Sequence, residues 1–101
     1  MKTTTVEIEQ IKNVINKNLD FLRDNYNVQS VGVFGSVARE ESTKNSDVDV
    51  LVEFSEAISF FKFIELEEFL SKALGRKVDL VTKKALKSPI KEEVLKETVY
   101  V

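Results

Sequence analysis

The sequence predicts an α/β fold, a small mixed sheet of about three strands with helices mainly on one face. Three observations carry this expectation. Apolar runs of strand length alternate with stretches whose apolar residues recur at helical spacing. The runs 47–54 and 77–82 are separated by a helical segment, so they should pair in parallel through a right-handed crossover. About a dozen residues join the run 30–34 to the run 47–54, which suits antiparallel neighbours.

Residues 5–25 read as one helix, because Ile8, Ile11, Ile15, Leu19 and Leu22 fall on one face, and Asn25 and Asn27 end the pattern. Residues 30–34 form a short buried strand that stops at Gly35. Ser36 to about Glu41 suits one helical turn with Ser36 as its N-cap. Residues 41–46, Glu-Ser-Thr-Lys-Asn-Ser, are loop chemistry, and 47–54 is a strand. Residues 59–74 carry a wide apolar stripe and end before Gly75, a good residue for a helix terminus. The cluster Phe60, Phe61 and Phe63 reads as core. Residues 77–82 make the third strand, and Ser88-Pro89 reads as N-cap and first position of a last helix whose apolar side is Ile90, Val94 and Leu95. Thr98-Val99-Tyr100-Val101 is apolar. It either folds back as an edge strand or docks on a partner.

Composition narrows the chemistry. The 101 residues suit one domain, 1–101, with a modest core. No cysteine or histidine is present, so thiolate and imidazole ligands are excluded and any metal site must be built of oxygen. With 15 basic and 17 acidic residues the net charge is −2, and nothing marks a surface for long nucleic acid. The start of the sequence has no signal-peptide core, and no apolar run is long enough to cross a membrane. A cytoplasmic location is the default expectation.

Against this background, Asp47 and Asp49 need explaining, since they open what otherwise reads as a buried strand. Strand alternation puts both on one face, about 7 Å apart, with Val48, Val50 and Val52 on the other. Antiparallel pairing would bring Gly35-Ser36 beside them, and parallel pairing would bring Asp79, the single carboxylate in Lys-Val-Asp-Leu-Val. Such carboxylates repel one another unless a cation offsets them. A bound divalent metal is the natural resolution, Mg²⁺, Ca²⁺ or Mn²⁺ for oxygen ligands; Mg²⁺ shares carboxylates with phosphate oxygens and water, and a pair of such ions roughly 3.5–4 Å apart can clamp a phosphoryl or nucleotidyl transfer. Gly35-Ser36, with a close backbone and a hydroxyl, can hold phosphate oxygens. The plainer alternatives are that Asp47 caps a turn, Asp49 is an edge-strand residue and Asp79 pairs with Lys77. Arg39 can serve phosphate, a partner or only the surface, and Ser46 reads as a turn residue.

Gly35-Ser36, ten residues, Asp47-x-Asp49 and the later Asp79 resemble the signature of the DNA-polymerase-β-like nucleotidyltransferases. More narrowly, the stretch from Gly35 to Phe54, with 63–82 and 90–101, is similar to the minimal nucleotidyltransferases of prokaryotic toxin–antitoxin pairs. Relatives usually carry Ala-Arg-Gly after the Gly-Ser, where this chain has Ala38-Arg39-Glu40. The resemblance implies a polymerase-β-like palm. It implies Mg²⁺, two ions, held by Asp47, Asp49 and Asp79 as the catalytic and metal-binding residues, and ATP held by Gly35, Ser36 and Arg39. It also implies a HEPN-domain ribonuclease toxin as partner, whose tyrosine hydroxyl receives AMP. The alternative is an antitoxin that masks its toxin by contact alone. Transfer to a small molecule such as an aminoglycoside, or templated polymerisation, would need a further domain or a basic groove.

Overall fold

The computed structural model describes residues 6–43 and 46–101; expectations falling on residues 1–5 and 44–45 lie outside it. The first helical stretch is two helices, α1 (Val6–Lys17) and α2 (Leu19–Tyr26), rather than one. Asn18 divides them. Its side-chain amide donates to the Val14 carbonyl at 2.8 Å, the local competition for backbone acceptors that unsettles helices. Asn27 closes α2 in the left-handed region at φ 54°.

The sheet has four strands in the order β3-β2-β1-β4, one more than expected. They are β1 (Val28–Phe34), β2 (Val48–Phe54), β3 (Val78–Thr82) and β4 (Val99–Tyr100), with the short helix α3 (Gly35–Ala38) after β1, α4 (Phe60–Leu74) between β2 and β3, and α5 (Ile90–Glu97) before β4. β1 and β2 are antiparallel, and β2 and β3 are parallel, as expected. The fourth strand escaped sequence reading because two residues are too short to show a period. Of the two readings for residues 98–101, the edge strand holds: Val99 and Tyr100 pair with Val33 and Gly32, and the Val101 N–H donates to the Val31 carbonyl at 3.0 Å. Gly32 is required there, because a Cβ would stand 2.3 Å from the Thr98 methyl.

One face of the sheet is the core. Val31, Val33, Val48, Val50, Val52 and Val78 are buried against Ile8, Ile11, Ile15 and Leu22 of the first two helices and Leu66 and Leu70 of α4. That is the one-sided arrangement read from the alternation of β2. The free side of β3 is blunted by α4: the Val78 N–H donates to Ser71 Oγ at 3.0 Å and the Leu80 N–H to Glu67 Oε2 at 2.9 Å. α4 itself starts at Ser59, whose hydroxyl accepts from the Lys62 N–H, and ends at Gly75 with φ 68°.

Three local expectations are corrected. Ser36 is not an N-cap: extended Phe34 holds that position and the turn begins one residue early, at Gly35. Ser88 does not cap α5, which begins at Ile90; backbone carbonyls of Lys87 and Pro89 already accept the Lys91 and Glu92 N–H groups. The phenylalanine cluster is not all core. Phe63 packs edge-on against Phe54, but Phe60 and Phe61 are 73 % and 84 % exposed and meet each other edge-on before the buried stripe of α4 begins.

Candidate active site

The face of the sheet opposite the core carries the acidic residues. In the β1–β2 ladder Asp49 lies across from Phe34, and in the β2–β3 ladder it lies beside Asp79. The chain leaves β1 at Gly35 with φ +73°, a left-handed conformation that suits glycine. A Cβ at Gly35 would stand 2.0 Å from Asp49 Oδ2, so only glycine lets the turn lie this close to the carboxylate. The structure thus brings Gly35, Asp49 and Asp79 together. Asp47 sits just ahead of β2, exposed, with its nearest cation Lys77 Nζ at 3.9 Å.

Electrostatics single out Asp49. It is half-buried, and burial pushes its carboxyl above the ordinary carboxylate range; the charges of Asp79 and Asp47 push it the same way, and Arg39 pulls it back. A divalent cation would relieve that crowding. Among the described residues no three carboxylates stand close enough to form a ready metal cage. Mg²⁺ takes one or two protein carboxylates and completes its shell with water and substrate phosphate, so Asp49 with Asp79 or Asp47 could contribute to such a shell.

Ser36 follows Gly35 in α3, half-buried, and its hydroxyl has no partner among the described residues. Arg39 extends from the end of α3, donating to Glu41 at 3.0 Å and to both Glu97 oxygens at 3.2 and 3.3 Å. Glu40 has φ 61°. The left-handed turn is thus made with a residue other than glycine, which carries backbone strain.

Two residues of this region were missed in the sequence. Glu97 closes α5 and accepts the Gly35 N–H at 2.7 Å. Its only sequence signal is a carboxylate next to the apolar edge segment. Arg76, one residue past Gly75, donates to Glu7 of α1 and to the carbonyls of Thr43 and Ser46 at 3.2 and 2.7 Å. It ties down the chain immediately before Asp47. No motif marks it, because its partners are backbone atoms of a distant loop.

A Gly-Ser turn set against Asp49 of β2, with Asp47 just ahead of that strand and Asp79 on the parallel neighbour, is the arrangement of a nucleotidyltransferase palm. Residues 15–101 match the nucleotidyltransferase domain family, and the chain belongs to it. It is similar to protein adenylyltransferase MntA of Thermococcus cleftensis, 49 % identical over 94 residues that cover 93 % of this chain and 95 % of that one. Among solved structures it resembles a toxin–antitoxin with AMP-PNP (TM-score 0.70, 29 % identity, 84 % of this chain and 69 % of that one). It also resembles the complex of a tri-AMPylated Shewanella oneidensis HEPN toxin with its MNT antitoxin (TM-score 0.64, 25 % identity, 89 % and 70 %). The chain is therefore a nucleotidyltransferase enzyme of the minimal type.

Proposed function

We propose that this enzyme is an antitoxin that transfers AMP from ATP to a tyrosine hydroxyl of a HEPN-type ribonuclease and so inactivates it. The observation that carries this reading is the seating of Gly35 directly against Asp49, with Asp79 in register beside it. That closeness supports reading the turn as a phosphate holder and the aspartates beside it as metal ligands. The names of the relatives supply the acceptor class: one is a protein adenylyltransferase and another is held in complex with an AMPylated HEPN toxin.

In the reaction the acceptor oxygen attacks the α-phosphorus of ATP. A new P–O bond forms to the tyrosine, the bond from the α-phosphorus to the bridging oxygen breaks, and pyrophosphate leaves. Bound Mg²⁺, two ions in this reading, would neutralise developing charge on the attacking and leaving oxygens. Asp47 and Asp49 would hold both ions, and Asp79 the catalytic one. Asp79, in register beside Asp49 on the neighbouring strand, would help activate the attacking oxygen as the tyrosine hydroxyl loses its proton. Ser36 Oγ and the close backbone of Gly35-Ser36 hold the outer phosphates. Arg39 adds a positive charge at the same end. The apolar helices lie on the far side of the sheet, so an acceptor chain can approach the acidic face.

The test is incubation of the chain with labelled ATP, Mg²⁺ and a HEPN-type ribonuclease of the proposed class. Label on a partner tyrosine is the expected result. Partner inhibition without label would mean masking alone, and would overturn the transfer reading.

A further inference from the structure

Gly35 has contacts on two sides. Its Cα faces the Asp49 carboxylate, with no room for a Cβ, and its N–H points at Glu97 Oε2, 2.7 Å away. The same Glu97 carboxylate receives Arg39 Nη1 on both oxygens, at 3.2 and 3.3 Å, while Arg39 Nε is held by Glu41. One side chain therefore fixes the amide of the turn and the cation that follows it. Hydrogen bonds to a carboxylate are the stronger kind.

Glu97 is itself placed by the fold. It is the last residue of α5, and β4 begins two residues later. The β4 pairing with Gly32 and Val33 brings that junction beside the end of β1, where Gly35 begins. The Thr98 N–H and hydroxyl both bond the Val94 carbonyl, at 3.1 and 2.6 Å, which closes the helix at this point. The edge segment 98–101 thus carries a carboxylate to the turn from 62 residues further along the chain.

We propose that Glu97 is a positioning residue for nucleotide binding, one that holds the Gly35-Ser36 turn and Arg39 in the geometry that receives the triphosphate. It touches neither metal nor substrate; it acts through Gly35 and Arg39. This rests on the nucleotide-binding reading of the turn. With the Gly35 N–H engaged by Glu97, phosphate would meet the turn through its remaining groups, the Ser36 hydroxyl among them, and these depend on the anchored turn.

The experiment measures the Kd of AMP-PNP with Mg²⁺ by calorimetry for the wild-type chain, E97A and E97Q, with thermal melts of each. E97A removes the acceptor and the charge, and its Kd should rise by about 10- to 100-fold, the usual cost of losing an outer-layer partner of a ligand site. E97Q keeps an acceptor for the Gly35 N–H and loses the charge that holds Arg39, so its Kd should fall between the other two. A merely structural role would lower the melting temperature and the binding-competent fraction while leaving Kd unchanged. Unchanged Kd in E97A, or in E97Q should E97A fail to fold, would overturn the proposal. So would tighter binding, which would make Glu97 an obstacle to phosphate. Absence of binding by the wild-type chain would instead overturn the nucleotide reading on which the proposal stands.

Discussion

Asp49 shows what a single residue costs and contributes. Its carboxyl titrates higher in the folded chain than in the unfolded one, because burial and the neighbouring Asp79 and Asp47 disfavour its charge. For an acid shifted in that direction, folding loses stability as pH rises from the unfolded pKa to the folded one, and the full penalty stands above both. Asp49→Asn should therefore melt at the same or a higher temperature than wild type at neutral pH, with the gain vanishing in acid, while transfer is lost. A fall of many degrees at neutral pH would assign Asp49 to the scaffold. Glu40 makes the opposite case. At φ 61° it occupies backbone that favours glycine, and Glu40→Gly should stabilise the chain by about 1 kcal/mol, seen as a higher melting temperature. No gain would mean that contacts of the Glu40 side chain offset the strain. The aspartates were legible in the sequence because carboxylates break a buried-strand pattern. Glu97 and Arg76 were not, because charged residues near helix ends are ordinary and their partners lie far away in sequence.

At the scale of elements, hydrophobic period was the reliable guide. It located β2, β3 and α4 nearly to the residue, since Val48, Val50, Val52, Leu66 and Leu70 are all buried where alternation or helical spacing puts them. It failed where a polar side chain or a pairing partner decides the structure. Asn18 splits the first helix through its own hydrogen bond, and β4 exists only because β1 has an open edge. Deleting residues 98–101 should accordingly destabilise the isolated chain by roughly 1–3 kcal/mol, the range for losing packed apolar contacts. A truncated chain that melts normally would contradict the edge-strand role. The loop before β2 depends on a second link. Glu7 of α1 accepts from Ser42 at 2.6 Å and from Arg76, and these bonds hold its carboxyl below the ordinary range, the Ser42 bond most strongly. Stability from such a group is present above the unfolded pKa and is lost as pH falls through the folded one. Glu7→Gln should melt lower than wild type at neutral pH, and the two curves should converge in acid; a constant difference across pH would mean that charge is not the cause.

For the whole molecule, the division of labour runs between the two faces of one sheet. The valine face makes the core with α1, α2 and α4, and the other face presents Asp49 and Asp79 beside the Gly35 turn. No helix of the described residues is long and apolar enough to cross a membrane. With no preformed metal cage among the described residues, Mg²⁺ alone should bind weakly and should bind clearly once ATP supplies phosphate oxygens; equal affinity with and without nucleotide by calorimetry would contradict that. The most direct measurement follows label from α-³²P-ATP in the presence of Mg²⁺ and a HEPN-type ribonuclease of the proposed class, comparing wild type with Asp49→Asn. Labelled AMP on a partner tyrosine with wild type, and none with the variant, is the predicted result. An inhibited but unlabelled partner, or equal labelling by both chains, would contradict transfer at the Asp49 site.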